Sequence, residues 1–361
     1  MRASFERSEL LRLLPAAVKA VENRNTIPIL ANVLLTVAPS ADGITDGTVS
    51  VTGTDLDIRI TTTGAAKVAD GGSVTVDARR FEDIVRKLPA SATIEISDEP
   101  NTLIVKSGRS RFKLPTLPVE DFPNITIGGF DSTFTTDLAA LLKPVQYAMS
   151  DEATRYYLCG VYLHVAGDKL RAVATTGHVL AQHDAAIPDG GETMPGIIVP
   201  RKAVPLVPAG EVTVSVSATK VRFAADGIEV VSKVVDGTYP DYQRVIPTAN
   251  SNVARIDRAA LASANDRVAT VVSERGRAVK LSFTAGAVEL STRNEANEAQ
   301  DELPAEYASE PIDIGFQTGY VSSTLAAFSG DTIEIAMNDP GSPAVFRDGG
   351  PLLALIMPMR V

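Results

Sequence analysis

Apolar and polar positions alternate along most of the chain. Thr93-Ile94-Glu95-Ile96, Lys220-Val221-Arg222-Phe223 and Thr332-Ile333-Glu334-Ile335 share the period of two that puts one strand face in a core and the other in water. Asp55-Leu56-Asp57-Ile58-Arg59-Ile60 has the same pattern, and a strand is expected there too. Ala41-Asp42-Gly43, Asp70-Gly71-Gly72 and Ala225-Asp226-Gly227 separate such runs at hairpin spacing. Other segments have helical periodicity. Leu10, Leu14, Val18 and Val21 fall on one stripe, as do Leu138, Leu142 and Val145, then Leu261, Val268 and Val271. Three amphipathic helices are thus expected to open three successive thirds.

The segments after each helix also repeat. Pro28-Ile29-Leu30-Ala31-Asn32-Val33-Leu34-Leu35 corresponds to Tyr156-Tyr157-Leu158-Cys159-Gly160-Val161-Tyr162-Leu163 and, more weakly, to Arg277-Ala278-Val279-Lys280-Leu281. Val51-Thr52-Gly53-Thr54-Asp55 corresponds to Val173-Ala174-Thr175-Thr176-Gly177. Val76-Asp77-Ala78-Arg79-Arg80-Phe81, expected to open a second helix, matches Val199-Pro200-Arg201-Lys202-Ala203-Val204 and Ile314-Gly315-Phe316 before Tyr320-Val321. Phe122-Pro123 closes the first unit as Tyr239-Pro240 closes the second. Offsets of about 117 to 128 residues are domain-sized, so domains are expected at 1–126, 127–250 and 251–361. Each reads as helix, strands, helix, strands.

Composition narrows the function. The 361 residues are 45% hydrophobic and 22% charged, enough apolar material for packed cores. Lys+Arg 34 against Asp+Glu 44 gives a net charge of -10, which disfavours a tight base-reading DNA binder and an acidic membrane surface. Basic residues nevertheless gather at expected helix starts and adjoining loops: Arg24, Arg79, Arg80, Arg86, Lys87, Arg201 and Lys202. Cys159 is the only cysteine, so no intrachain disulfide or thiolate-rich metal site can form, and a buried inert thiol is expected. No cationic-then-apolar leader opens the chain, and no run approaches the roughly 20 apolar residues of a membrane helix, so the expected location is cytoplasmic.

Catalytic motifs are sparse. The chain has no phosphate-binding glycine loop, no H-E-x-x-H and no G-x-S-x-G. His164, His178 and His183 are its only histidines, and an offset of five along a strand points His178 and His183 to opposite faces, so no metal is expected. Asp55 and Asp57 would share a strand face, as any solvated face shows and as a carboxylate pair acting on a glycan would also require. On the residues alone a β-rich hydrolase and an array of structural β-domains both remain open.

Several motifs taken together resemble the bacterial replicative sliding clamps, the beta subunits of DNA polymerase III. In order they are Ile27-Pro28-Ile29-Leu30, Thr52-Gly53-Thr54-Asp55-Leu56, Ser107-Gly108-Arg109-Ser110-Arg111-Phe112, Asp121-Phe122-Pro123, Arg155-Tyr156-Tyr157-Leu158, Ala174-Thr175-Thr176-Gly177-His178, Val199-Pro200-Arg201-Lys202, Pro240-Asp241-Tyr242 and Met357-Pro358-Met359-Arg360-Val361. The resemblance covers the whole chain. It implies an α+β fold of three repeated clamp domains, closed head to tail with a second copy into a ring that has helices lining the channel and sheets outside. Twelve such helices about 9 Å apart would enclose a hole of roughly 25 Å, wide enough for duplex DNA with a water layer. A ring holds DNA by topology, so a mild positive lining suffices and the acidic excess belongs outside.

The resemblance also implies roles. Arg24, Arg79, Arg80, Tyr156, Tyr157, Arg201 and Lys202 match positions that meet DNA without reading sequence. Phe112, Leu114, Val271 and Val272 match the contact between the two copies of a homodimer. A peptide pocket between the second and third repeats is matched by Leu158, Thr175, Gly177, His178, Leu180, Pro240, Arg244, Val245, Met357, Pro358, Met359 and Arg360, with Tyr320 and Leu355 nearby. Implied partners are the replicative polymerase alpha subunit, the clamp loader, and other polymerases and repair proteins, each inserting a short linear motif with a Gln and bulky apolar residues. No cofactor, catalytic residue or membrane partner is implied. Two departures stand out. Many relatives carry a basic residue where this chain has Val179, which is expected to remove a charge from the pocket rim, and Gly341-Ser342-Pro343 diverges in the loop opposite.

Overall fold

Alternating runs become antiparallel strands. In the computed structural model, which describes residues 1–22, 26–40, 46–124, 128–271, 278–293 and 297–361, the runs at 93, 220 and 332 lie in strands Thr93–Glu99, Lys220–Ala225 and Thr332–Met337. Five α-helices occur among the described residues: α1 (Arg7–Ala20), α2 (Ala78–Lys87), α3 (Leu138–Leu142), α4 (Arg258–Ala269) and α5 (Thr318–Ala327). The chain divides into two compact units.

The first unit comprises Met1–Thr136 with Leu206–Lys233. Its twelve-stranded sheet begins at the edge strand Ser110–Pro115 and ends at Ser132–Thr136, with Ile58–Asp70 pairing Ile228–Lys233 in the middle. Leu10, Leu13, Leu14, Ala17 and Val18 form the buried stripe by which α1 joins the core, where Phe81 and Val85 of α2 meet it. Asp77 caps α2 by accepting the Arg80 backbone N–H at 2.8 Å, which satisfies one of the donors a helix start leaves unpaired. Arg79 and Arg80 consequently project from the first turn into solvent.

The second unit comprises Asp137–Pro205 with Val234–Val361. It holds an eight-stranded sheet, in which Val179–Ala186 pairs with Leu352–Ile356, and a four-stranded sheet with edges Glu298–Pro304 and Ile312–Gln317. α4 and α5 pack together, and buried Asn265 ties them by donating to Thr318 O at 3.2 Å and Ser322 Oγ at 2.8 Å.

Three expectations need correction. Asp55, Leu56 and Asp57 form a turn before strand Ile58–Asp70, because Asp55 Oδ1 accepts the backbone N–H groups of Asp57 at 3.0 Å and Ile58 at 2.7 Å and Leu56 has φ +79°. The two carboxylates therefore share no strand face. The stripe through Leu138, Leu142 and Val145 gives only a five-residue helix and a 3-10 turn at Gln146–Ala148. Pro144 lacks the N–H needed to continue the helix and its ring would strike the carbonyl of residue 140, although Val145 is still buried. Where a second helix was expected after Val199, there is only a 3-10 turn at Val204–Leu206, amid Pro200, Pro205 and Pro208. The middle repeat therefore does not supply two full helices, and the count of twelve does not hold for α-helices.

Candidate functional site

The strand-to-turn correspondence between repeats needs a shift of one residue: by their hydrogen bonds Thr54 matches Thr175 and Asp55 matches Thr176, not Thr176 and Gly177, and in that register the two turns share a backbone frame. In the first unit Thr54 Oγ1 donates to Ile58 O at 2.9 Å and accepts from Leu56 N–H at 3.1 Å, while Lys233 N–H donates to Asp57 O at 2.9 Å. In the second, Thr175 Oγ1 donates to Val179 O at 2.7 Å and accepts from Gly177 N–H at 3.0 Å, while Met357 N–H donates to His178 O at 2.8 Å. Gly177, with φ +91°, occupies the left-handed place of Leu56 at no steric cost.

Side chains distinguish the two frames. Register places Arg59 opposite Val231 in the first and Leu180 opposite Leu355 in the second. Arg59 donates to Glu229 Oε1 at 3.2 Å, and Arg222 donates to Glu229 Oε2 at 2.6 Å, so this frame carries charge. In the second unit Leu158, Leu180 and Leu355 pack with Tyr239 and Tyr242 in one apolar cluster. These side chains are almost covered, whereas the tail that follows Leu355 is more open, with Met357 36% and Met359 38% exposed; Val245, just after Tyr242, is 51% exposed. Such flexible, polarizable surface accommodates more than one apolar ligand.

The cluster is braced from behind by groups the sequence reading missed. Tyr162 stacks between Tyr239, centroids 4.9 Å apart, and His164, at 4.4 Å. His164 Nδ1 lies 3.0 Å from Val165 O, so it must carry the proton and donate; Nε2, 3.0 Å from Tyr242 Oη, then accepts the phenol proton. Burial pushes the imidazole below its ordinary value, in keeping with that neutral form. Arg171 donates to both carboxylate oxygens of Asp184, at 2.6 and 2.7 Å, and to Tyr242 Oη at 3.4 Å. Tyr239 and Tyr242 were legible as the flanks of Pro240; the brace was not, since it needs the fold to bring residues 162, 164, 171 and 242 together.

The remaining pocket candidates sort by exposure. His178 is exposed and stacked on half-buried Tyr320 at 6.4 Å, Arg244 projects into solvent beside Asp241 at 2.8 Å, and Pro240, Pro358 and Arg360 are exposed or half-exposed. Val179 is a correction: it is fully buried as the first residue of its strand, opposite Ile356, and forms no part of a rim. Cys159 is only partly buried, with Sγ 3.4 Å from Glu152 O.

Of the candidates for DNA, Arg24 lies outside the described residues. Tyr156 is 53% exposed and meets Tyr157 edge to face at 5.7 Å, and Arg201 and Lys202 are exposed in the same unit. Of the interface candidates, Phe112 is half-buried and Leu114 buried on edge strand Ser110–Pro115, Val271 is half-buried just beyond α4, and Val272 lies outside the described residues. α4 packs against the acidic edge strand Glu298–Pro304, with Arg267 Nε 2.6 Å from Asp301 Oδ2. Among the described residues no cluster of His, Cys, Asp and Glu is arranged to hold a metal ion, and no helix is long and apolar enough to cross a membrane.

Comparison with known proteins places these features in a family. Models of the DNA polymerase III beta subunit match its N-terminal domain at residues 1–126, its central domain at 134–241 and its C-terminal domain at 243–360. The chain is 40% identical to the beta sliding clamp of Caulobacter vibrioides and 34% identical to that of Escherichia coli K12, over the full length of both chains in each case. It superimposes with a TM-score of 0.95 on the DnaN sliding clamp of Bartonella birtlesii bound to griselimycin, at 40% identity and full coverage of both chains. For the Caulobacter crescentus beta sliding clamp with polyethylene glycol bound, the TM-score is 0.94 at 38% identity, covering 100% of this chain and 99% of that one. The chain belongs to the DNA polymerase III beta subunit family, the beta sliding clamps.

Proposed function

We propose that two copies of this chain close head to tail around duplex DNA, and that a groove beside Leu158, Leu180 and Leu355 in the second unit tethers the replicative polymerase and other DNA-handling proteins to that ring. The chain performs no chemistry itself; it raises the number of nucleotides added per binding event. Each copy contributes three clamp domains, 1–126, 127–250 and 251–361, and the work is done in the cytoplasm.

The observation that carries this reading is the full-length likeness to sliding clamps, at 40% identity and a TM-score of 0.95. The edges of the sheets support closure. Ser110–Pro115 ends one sheet and carries exposed Arg111 and Lys113; Glu298–Pro304 ends another and carries exposed Glu298 and Glu302. Pairing these unlike edges would join the sheets of two copies, set opposite charges side by side and leave neither edge free. Because the surfaces differ, the contact is heterologous, and two such contacts close a ring. Phe112, Leu114, Val271 and Val272 would form its apolar centre. Arg24, Arg79, Arg80, Tyr156, Tyr157, Arg201 and Lys202 would meet phosphates loosely enough for sliding.

A primer-extension assay tests the reading. With the cognate polymerase and clamp loader, ATP and excess unlabelled template as a trap, the chain is expected to lengthen products from one binding event by about tenfold or more, a change of at least about 1.4 kcal/mol in the partition between extension and dissociation. Products of unchanged length would overturn it.

A further inference from the structure

The chain's last residues are tied in turn to both sheets of the second unit. Met357 N–H donates to His178 O at 2.8 Å, next to the eight-stranded sheet, and Met359 N–H donates to Gly315 O at 2.9 Å. Gly315 lies in Ile312–Gln317, an edge strand of the four-stranded sheet whose outer backbone groups are open to such a partner. The approach is close. A Cβ at Gly315 would sit 2.5 Å from Met359 O and 2.4 Å from Val361 Cγ1, well inside van der Waals contact. The backbone there is ordinary strand, so what this glycine supplies is room. Any larger residue must displace the segment that carries the partly exposed side chains of Met357 and Met359.

We propose that Gly315 is a positioning residue for partner binding: it touches no partner, but by admitting the C-terminal tail it fixes where Met357 and Met359 stand. The proposal rests on the groove being the peptide site. It makes Gly315 selective in a specific way, since its effect must vanish when the tail is gone.

The test is a double-mutant cycle between Gly315→Ala and a chain ending at Pro358, with two readouts. One is amide hydrogen exchange at Met359. The other is affinity for a synthetic peptide carrying one Gln followed by Leu and Phe residues. Gly315→Ala in the full chain is expected to speed exchange at Met359 about tenfold and weaken the peptide about fivefold or more. In the chain ending at Pro358 it is expected to change peptide affinity by less than about twofold, because Met359 O and Val361 are absent. Equal losses in both backgrounds would overturn the proposal, since Gly315 would then act through its sheet. Unchanged exchange and affinity in the full chain would overturn it too. If the unsubstituted chain binds no peptide while exchange still responds, the groove reading has failed and takes the proposal with it; if that chain binds and exchange does not respond, the proposal alone has failed.

Discussion

Replacing Phe112 with arginine is expected to turn the proposed dimer into a folded monomer at micromolar concentration. Phe112 lies on an edge strand, pairs across to Val105 and is half-buried within its own unit, which leaves part of the ring for a second copy to cover. Covering the remaining half of this aromatic side chain contributes about 1 kcal/mol, and a guanidinium in its place adds a desolvation cost of a few kcal/mol. A closed ring has two such contacts, so the loss counts twice and dimerisation should weaken by roughly a thousandfold or more. Leu114 is less suitable because it is buried in the first unit's core, where a charge would unfold the protein. Sedimentation velocity, with circular dichroism as the check on folding, reads the result. A folded variant that dimerises as tightly as the native chain would remove Ser110–Pro115 from the interface.

Deleting Met357–Val361 is expected to weaken peptide binding while leaving the proposed dimer intact. Strand Leu352–Ile356 ends before the deletion, so its ladder with Val179–Ala186 is retained. What is lost is the exposed methionine surface, since Leu158, Leu180 and Leu355 are themselves almost covered. Covering what two methionines about a third exposed still show to solvent contributes about 1–2 kcal/mol, and its loss weakens a peptide by about five- to thirtyfold. Fluorescence anisotropy of a labelled peptide measures this. Undiminished affinity would place the partner site elsewhere.

The sequence exposed whatever depends on neighbours along the chain. Strand alternation and the stripe of α1 were legible, and the domain-sized repeat was legible to within one residue, since the matching hydrogen bonds fall at Thr54 and Thr175 where the sequence aligns Thr54 with Thr176. Errors arose where a local rule met a stronger one. Asp55-Leu56-Asp57 alternates like a strand, but the Asp55 carboxylate satisfies two backbone donors and bends the chain first. A stripe through Leu138, Leu142 and Val145 looks helical only if Pro144 is overlooked. The family resemblance puts Val179 at a rim, whereas its place depends on a ladder with Ile356, far along the chain. The brace of Tyr162, His164, Arg171 and Tyr242 and the passage of the tail over Gly315 depend on similar long-range pairings, which a single sequence does not display.

Enclosure of DNA shows itself in retention on DNA of two shapes. The chain is loaded by a clamp loader with ATP onto nicked circular duplex, separated from free protein at high salt, and half of the sample is then linearised by a restriction enzyme. Because sequence-blind phosphate contacts weaken steeply with salt, only enclosure can hold the protein on the circle, and free ends should release it. Persistence on the circle and rapid loss from the linear form are expected of a closed ring. Equal loss from both, or equal retention on both, would contradict enclosure.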